Sequence, residues 1–200
     1  IAMLLPLVYL VLKILGAGVE TWEILFRMHV LEILGRTMLL VIAVTGASVV
    51  IAVPLAWLTV RTDLPLRRLW GVATILPLVI PSYVAGLLVI VVLGPRGMFQ
   101  RVIAGPFGVE QLPEIYGFPG AMGTLTLLSY PYVLLTVRAA LWRMDPSLEE
   151  ASRGLGYGPW TTFRLVTLPL LRPAIAAGAL LVALYTLSDF GAVSLLRYET

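Results

Sequence analysis

The sequence predicts an all-α, polytopic membrane protein, and two observations carry that prediction. Of its 200 residues, 60% are hydrophobic and 12% are charged, against about 45–50% and about 25% in soluble domains. The charges are also segregated. None lies between Arg36 and Arg61, between Arg68 and Arg96, between Glu114 and Arg138, or between Arg172 and Asp189. Each gap meets or approaches the roughly 20 apolar residues that cross about 30 Å of hydrocarbon. The net charge of +3 fits Lys and Arg collecting on cytoplasmic loops better than it fits nucleic-acid binding. The absence of cysteine excludes disulfides and thiolate chemistry. With no initiator methionine and an apolar run from Ile1, the chain reads as a single transmembrane domain truncated at both ends.

About five spans are expected. The first, 1–15, is short, with Lys13 placed to snorkel. Residues 19–34 read as an interfacial helix, with Glu23 and Arg27 at i, i+4 and with Trp22, Leu25, Phe26 and Ile33 as its apolar surface. His29, the sole histidine, lies there and cannot form a metal cluster alone. The second span, 38–60, carries Ser48, Ala52 and Ala56 at four-residue steps, a small-residue face that admits another helix backbone. The third, 69–93, is interrupted by Pro77 and Pro81, each removing a backbone donor. Such breaks persist in membranes only where neighbours or a wet cavity satisfy the freed carbonyls. Residues 94–119 are loop-like, and the fourth span, 120–140, is bent by Pro131. The fifth, 173–196, carries Asp189, a carboxylate that costs at least roughly 2.5–3.5 kcal/mol at a bilayer centre. Two readings of Asp189 stand: a border of the translocation path beside Gly191, or a packing partner for a neighbouring helix. Tyr83 is the second candidate path residue, since hard cations favour oxygen donors.

The longest polar stretch, 141–172, has its own local logic. Asp145-Pro146 offers a helix cap followed by proline at the first helical position, and Ser147 with Glu150 makes an alternative capping box. Gly154, Gly156 and Gly158 are expected at positive φ, ending that helix and reversing the chain. If this stretch and 61–68 lie inside, Arg61, Arg67, Arg68, Arg138, Arg143, Arg153, Arg164 and Arg172 are cytoplasmic, eight against the six of Lys13, Arg27, Arg36, Arg96, Arg101 and Arg197. The positive-inside rule favours this orientation weakly.

Glu150-Ala151-Ser152, three residues, Gly156, nine residues, then Val166-Thr167-Leu168-Pro169 resembles the EAA loop of ABC-importer permeases. Ser152 stands for the second alanine and Val166 for isoleucine. Further stretches resemble the ferric-iron-type subfamily: Arg61-Thr62-Asp63-Leu64-Pro65-Leu66-Arg67-Arg68, Ile80-Pro81-Ser82-Tyr83-Val84, Gly94-Pro95-Arg96-Gly97, and Leu187 to Val193. The resemblance implies a type I importer transmembrane domain, the first half of a fused permease, in a bacterial or archaeal inner membrane. It implies a cytoplasmic loop 141–172 in which Glu150, Ala151, Ser152, Gly156, Leu168 and Pro169 form the coupling element. The implied partners are a cytoplasmic ABC ATPase dimer, an external substrate-binding protein and a second permease half. ATP would sit on the ATPase subunit, with no cofactor on this chain.

The residues themselves agree that this chain is not an enzyme. There is no membrane histidine for a serine protease, no second membrane aspartate for an aspartyl protease, and no Gly-Lys-Ser/Thr phosphate loop. The expected function is therefore the permease subunit of an ATP-driven importer, by subfamily analogy for iron(III). The rivals are an importer of thiamine, polyamine or an oxyanion, and an ion-coupled secondary transporter.

Overall fold

The computed structural model describes Tyr9 and residues 28–94, 97–98 and 115–198. The expected first span 1–15 apart from Tyr9, the interfacial stretch up to residue 27, the side chain of His29 and most of the 94–119 loop lie outside the described residues. Every regular element among those described is helical. Three helical runs are long and apolar enough to cross a membrane, at 32, 26 and 30 residues, and a fourth, bent pair passes the same test. At 1.5 Å per residue the three extend about 39–48 Å, more than the hydrocarbon thickness.

The chain divides into two compact units, Ile1–Met38 and Leu39–Glu199. In the first, Arg36 pairs with Glu32 at 2.6 Å and the Thr37 hydroxyl donates to the Ile33 carbonyl. These i, i+4 contacts hold helical geometry through Gly35, where a separate interfacial helix was expected to end. Helix α1 is therefore one element, Met28–Arg61.

In the second unit, Ser48, Ala52 and Ala56 are fully buried, as their spacing predicts. Ser48 meets Ser129 of α4 (Phe118–Arg143) at 3.3 Å. Further along, Arg138 Nε donates to the Thr59 hydroxyl at 3.1 Å, and Arg61 donates to the Leu141 carbonyl at 3.0 Å. The paired numbers rise together, so α1 and α4 run parallel. Helix α4 continues through Pro131 without interruption. Two thirds (67%) of its apolar window is buried, against 33% for α1 and 22% for the last run, which makes α4 the central post.

Parallel neighbours require the chain to return between them, and the expected third span, which lies there, is broken. It comprises α2 (Arg67–Ala73), a 3₁₀ turn (Leu76–Val79) and α3 (Ser82–Leu93), with a bend of 101°. Pro77 and Pro81 cannot donate, so the helix stops between Ala73 and Ser82 rather than merely kinking. The carbonyls freed there find donors on α4. Arg138 Nη1 donates to Gly71 O at 3.0 Å and the Tyr130 hydroxyl to Thr74 O at 2.8 Å.

After α4 come α5 (Ser147–Gly154), α6 (Pro159–Thr162), a π-helical turn (Phe163–Thr167), α7 (Leu168–Ser188) and α8 (Gly191–Leu195). The expected fifth span, 173–196, is shifted. Its helical run begins at Pro159 and ends at Ser188. Pro169 and Pro173 do not end the run: Pro169 sits in the first turn of α7, just after a π turn in which Leu168 N–H donates to Phe163 O, and Pro173 lies inside α7. Helix α7 packs antiparallel on α4, with Gly178 against Thr136 and Val133 and Tyr185 against Tyr132, and Gly117 N–H donates to Leu196 O at 2.7 Å.

Closest approach of α4 and α7 falls at Gly178, where an added Cβ would lie 2.5 Å from Thr136 Oγ1 and 2.7 Å from Val133 Cα. Backbone cannot yield as a flexible side-chain tip can. Gly178→Val should therefore force the helices apart and cost about 1–3 kcal/mol, read as a lowered unfolding midpoint of the full-length protein in detergent. An unchanged midpoint would mean the two helices do not meet there.

Candidate functional site

The expected coupling element is built on α5, and its start follows the capping logic of the sequence. Asp145 Oδ1 accepts the Ser147 N–H at 2.9 Å, so the Asp145 cap is used rather than the Ser147–Glu150 box. The Ser147 N–H, and after it the Ser147 hydroxyl, hold the Asp145 carboxyl below the usual carboxylate range. A depressed folded-state pKa stabilises above the unfolded value and loses that contribution as pH falls through the folded one.

The end of α5 is a Schellman motif. Tyr157 N–H donates to Ser152 O and Gly156 N–H to Arg153 O. That geometry puts Gly156 at φ +87, with open space around its missing Cβ. Of the three glycines expected at positive φ, only Gly156 adopts it: Gly154 is the last residue of α5, and Gly158 is extended at φ −68. One left-handed residue suffices to turn the chain, since α6 begins immediately after.

Helix α5 has an inverted polarity. Glu149 and Ser152, one turn apart, are buried, while Leu148 and Leu155 are 46% and 78% exposed and Ala151 is exposed between them. Inside, the Ser152 hydroxyl meets the Thr162 hydroxyl of α6 at 3.0 Å. Glu149 Oε1 accepts the Thr167 hydroxyl at 2.8 Å and stands 3.7 Å from Arg61 Nε. Arg61 in turn donates through Nη2 to the carbonyls of Leu141 and Met144 at the end of α4. Of the expected coupling residues, Glu150 and Ala151 thus face outward and Ser152 inward. Leu168 packs against the core at the start of α7, with Pro169 next to it where no helical donor is required.

Asp189 and Tyr83 come to one junction. Asp189 follows the last residue of α7 and is half-buried, not inside a continuous span. Its carboxylate accepts the Ala192 N–H at 3.0 Å, capping α8. Gly191 abuts the start of α3, where an added Cβ would lie 3.1 Å from Ser82 Oγ and 3.4 Å from Tyr83 N. The break after Ser188 therefore meets the break at Pro81. Tyr83 is 54% exposed there, and Tyr185, with Asp189 and Ser82 beside its hydroxyl, packs its ring 5.6 Å from Tyr132. Among the described residues no three His, Cys, Asp or Glu side chains gather as a metal site. The residues missed in the sequence are Arg61, Glu149 and Thr167. Helical spacing puts Glu149 and Ser152 on one face, but nothing local marks that face as the inner one or names Arg61 and Thr167 as its partners.

The comparisons with known proteins converge on one family. The family of binding-protein-dependent transport system inner membrane components matches residues 48–197. The Fe(3+)-transport system permease protein FbpB 2 of Haemophilus influenzae is 38% identical over 197 residues, covering 98% of this chain and 35% of its own length. The molybdenum transport system permease protein ModB of Escherichia coli is 34% identical over 161 residues, covering 78% of this chain and 69% of its own. The sulfate transport system permease protein CysT of Escherichia coli is 30% identical over 192 residues, covering 96% and 68%. The chain thus spans about a third of the FbpB 2 relative and somewhat over two thirds of the other two.

At Gly156 a β-branched residue meets strain without any clash, because the obstacle is φ alone. Gly156→Val should cost on the order of 1–3 kcal/mol of local stability and fray the end of α5. Hydrogen exchange of the 147–157 amides would show it as faster exchange confined to this segment. Protection equal to wild type would mean the turn tolerates a side chain.

Proposed function

The chain belongs to the family of binding-protein-dependent transport system inner membrane components, and from that premise we propose that it is the transmembrane permease subunit of an ATP-driven importer for iron(III). An external binding protein delivers cargo, a second permease half completes the pathway, and a cytoplasmic ATPase dimer supplies the work. The pore performs no covalent chemistry, and ATP is bound and hydrolysed on the ATPase.

The supporting observation is the outward apolar stripe of α5. Leu148, Ala151 and Leu155 fall at i, i+3 and i+7, the spacing of anchors on a helix that lies in a partner's groove. Leucines turned outward on a short helix whose glutamate is turned inward form the kind of exposed apolar surface that marks a partner site. Glu150 is exposed as well, and Ala151 lies within the stripe. The Arg61 and Arg143 ends of α1 and α4 lie at this end of the bundle, which agrees with a cytoplasmic position under the positive-inside rule. For the cargo, support comes from the FbpB 2 relative, matched along nearly the whole chain. Relatives named for molybdenum and sulfate keep an oxyanion importer as the second reading. Asp189 and Tyr83, set where two helix breaks meet, are the proposed path residues, because discontinuous helices are where transporters place contacts with their cargo.

Three outcomes follow for the full-length protein. A reporter fused near Arg164 should be cytoplasmic and one near Gln111 external; the reverse pattern sinks the assignment. Leu155→Glu should leave the permease in the membrane but abolish co-purification of its ATPase, because a charge in an apolar groove costs several kcal/mol. Undiminished co-purification would show that α5 is not the docking helix. In proteoliposomes with ATPase and binding protein, radioactive iron(III) should accumulate where molybdate and sulfate do not, and Asp189→Asn should slow that uptake. Molybdate or sulfate uptake instead would replace the cargo, and uptake unaffected by Asp189→Asn would leave the residue a helix cap only.

A further inference from the structure

The contact between Glu149 and Arg61 is incomplete in a way that packing alone does not explain. Arg61 is spent at one end: both Nη2 bonds go to the Leu141 and Met144 carbonyls, at 3.0 and 3.1 Å. Its Nε is buried with no hydrogen-bond acceptor. Glu149 Oε1 stands 3.7 Å from that Nε, with both side chains largely buried, at 14% and 8% exposed. A charge-assisted N–H···O bond closes at about 2.7–2.9 Å. A buried donor and a buried carboxylate thus face each other across a gap that a movement of under about 1 Å would close. Left open, the donor carries a desolvation penalty that the closed contact would remove.

The same Glu149 oxygen holds the other side of the joint. It accepts the Thr167 hydroxyl at 2.8 Å, and Thr167 is the last residue of the π turn through which the chain enters α7. The end of α1 and the entry to α7 therefore both meet one carboxylate carried by α5, and the end of α4 joins them only through Arg61. π turns are places where a helix can shift by one residue, and they concentrate at functional positions.

We propose that Glu149 is the positioning residue of the importer, closing on Arg61 Nε when α5 is displaced and drawing the π turn with it through Thr167. This rests on the reading of α5 as the ATPase-docking helix, but it assigns the transmission to residues turned away from that docking surface. Glu149 touches neither cargo nor ATPase. It determines whether a displacement of α5 reaches the far end of α7, where Phe190 lies 81% exposed.

The test needs no knowledge of the cargo. The full-length importer, co-expressed with its ATPase and carrying Phe190→Cys as its sole reactive thiol, is labelled in membrane vesicles with a membrane-impermeant maleimide. Labelling is compared without nucleotide and with ATP plus vanadate. This segment has no native cysteine to remove. ATP should change the labelling rate in the otherwise wild-type protein. Glu149→Gln keeps an acceptor for Thr167 but not the charge that closes on Arg61. It should leave ATPase co-purification and the nucleotide-free rate as they were while reducing the ATP response about fivefold or more. Glu149→Asp, which restores the charge on a shorter arm, should recover part of the response. A full ATP response in an assembled Glu149→Gln complex overturns the proposal. If Glu149→Gln does not assemble, Thr167→Val decides: a reduced response supports the joint, and an undiminished one overturns it. A wild-type reporter indifferent to ATP, with no ATPase co-purifying, sinks the docking-helix reading and the joint with it.

Discussion

A carbonyl freed at a helix end has no water to turn to inside a bilayer, and each orphan costs several kcal/mol. This fold breaks its helices repeatedly, and its architecture follows from where the missing donors come from. Arg138 and Tyr130 supply them where α2 breaks, and Arg61 bonds the last carbonyls of α4 at the end of the bundle. These side chains come from helices already in contact through the small-residue face of Ser48, Ala52 and Ala56. Close approach of backbones and satisfaction of broken ends are thus one design. Remove the approach and the arginines no longer reach.

That arrangement gives the two ends of the bundle different characters. At the Arg61 end, Glu149 of α5 faces Arg61 of α1 and accepts the Thr167 hydroxyl ahead of α7, while Arg61 bonds the end of α4. At the other end, Asp189 caps α8 while Gly191 lets the start of α3 approach closely. Two helix breaks pressed together form a place where backbone is irregular, and within a bilayer such backbone is tolerated where it is buried in protein or lines a cavity. Coupling at one end and passage at the other is the division of labour this distribution supports.

Much of this was legible from pattern. Charge-free gaps located α1 and α4, and four-residue steps picked out the buried face of α1. Asp145-Pro146 located the start of α5, and the placing of Gly156 located its end, because caps and left-handed turns are local chemistry. Element boundaries fared worse where one helix runs into another. Gly35 did not end a helix, since Arg36–Glu32 and Thr37–Ile33 contacts carry the chain past it. Nor does α7 begin at Pro173, where the fifth span was expected to start: Pro169 sits at its start and a π turn precedes it. The third span was expected to kink at its prolines and instead turns by 101°, because α4 offers donors that make a full break affordable.

The sequence alone determined the all-helical membrane class, the polar segment that reverses the chain, and the resemblance that names its family. These rest on periodicity, composition and spacing, which are properties of neighbours along the chain. Which glutamate of α5 faces inward was decided only in three dimensions. Glu149 and Glu150 are adjacent and chemically identical. Glu149 is buried because Arg61, nearly ninety positions away, presents a cation and Thr167 a hydroxyl on that side of the helix. A buried carboxylate needs such partners to be tolerable at all, and no local pattern can say which distant residues will supply them.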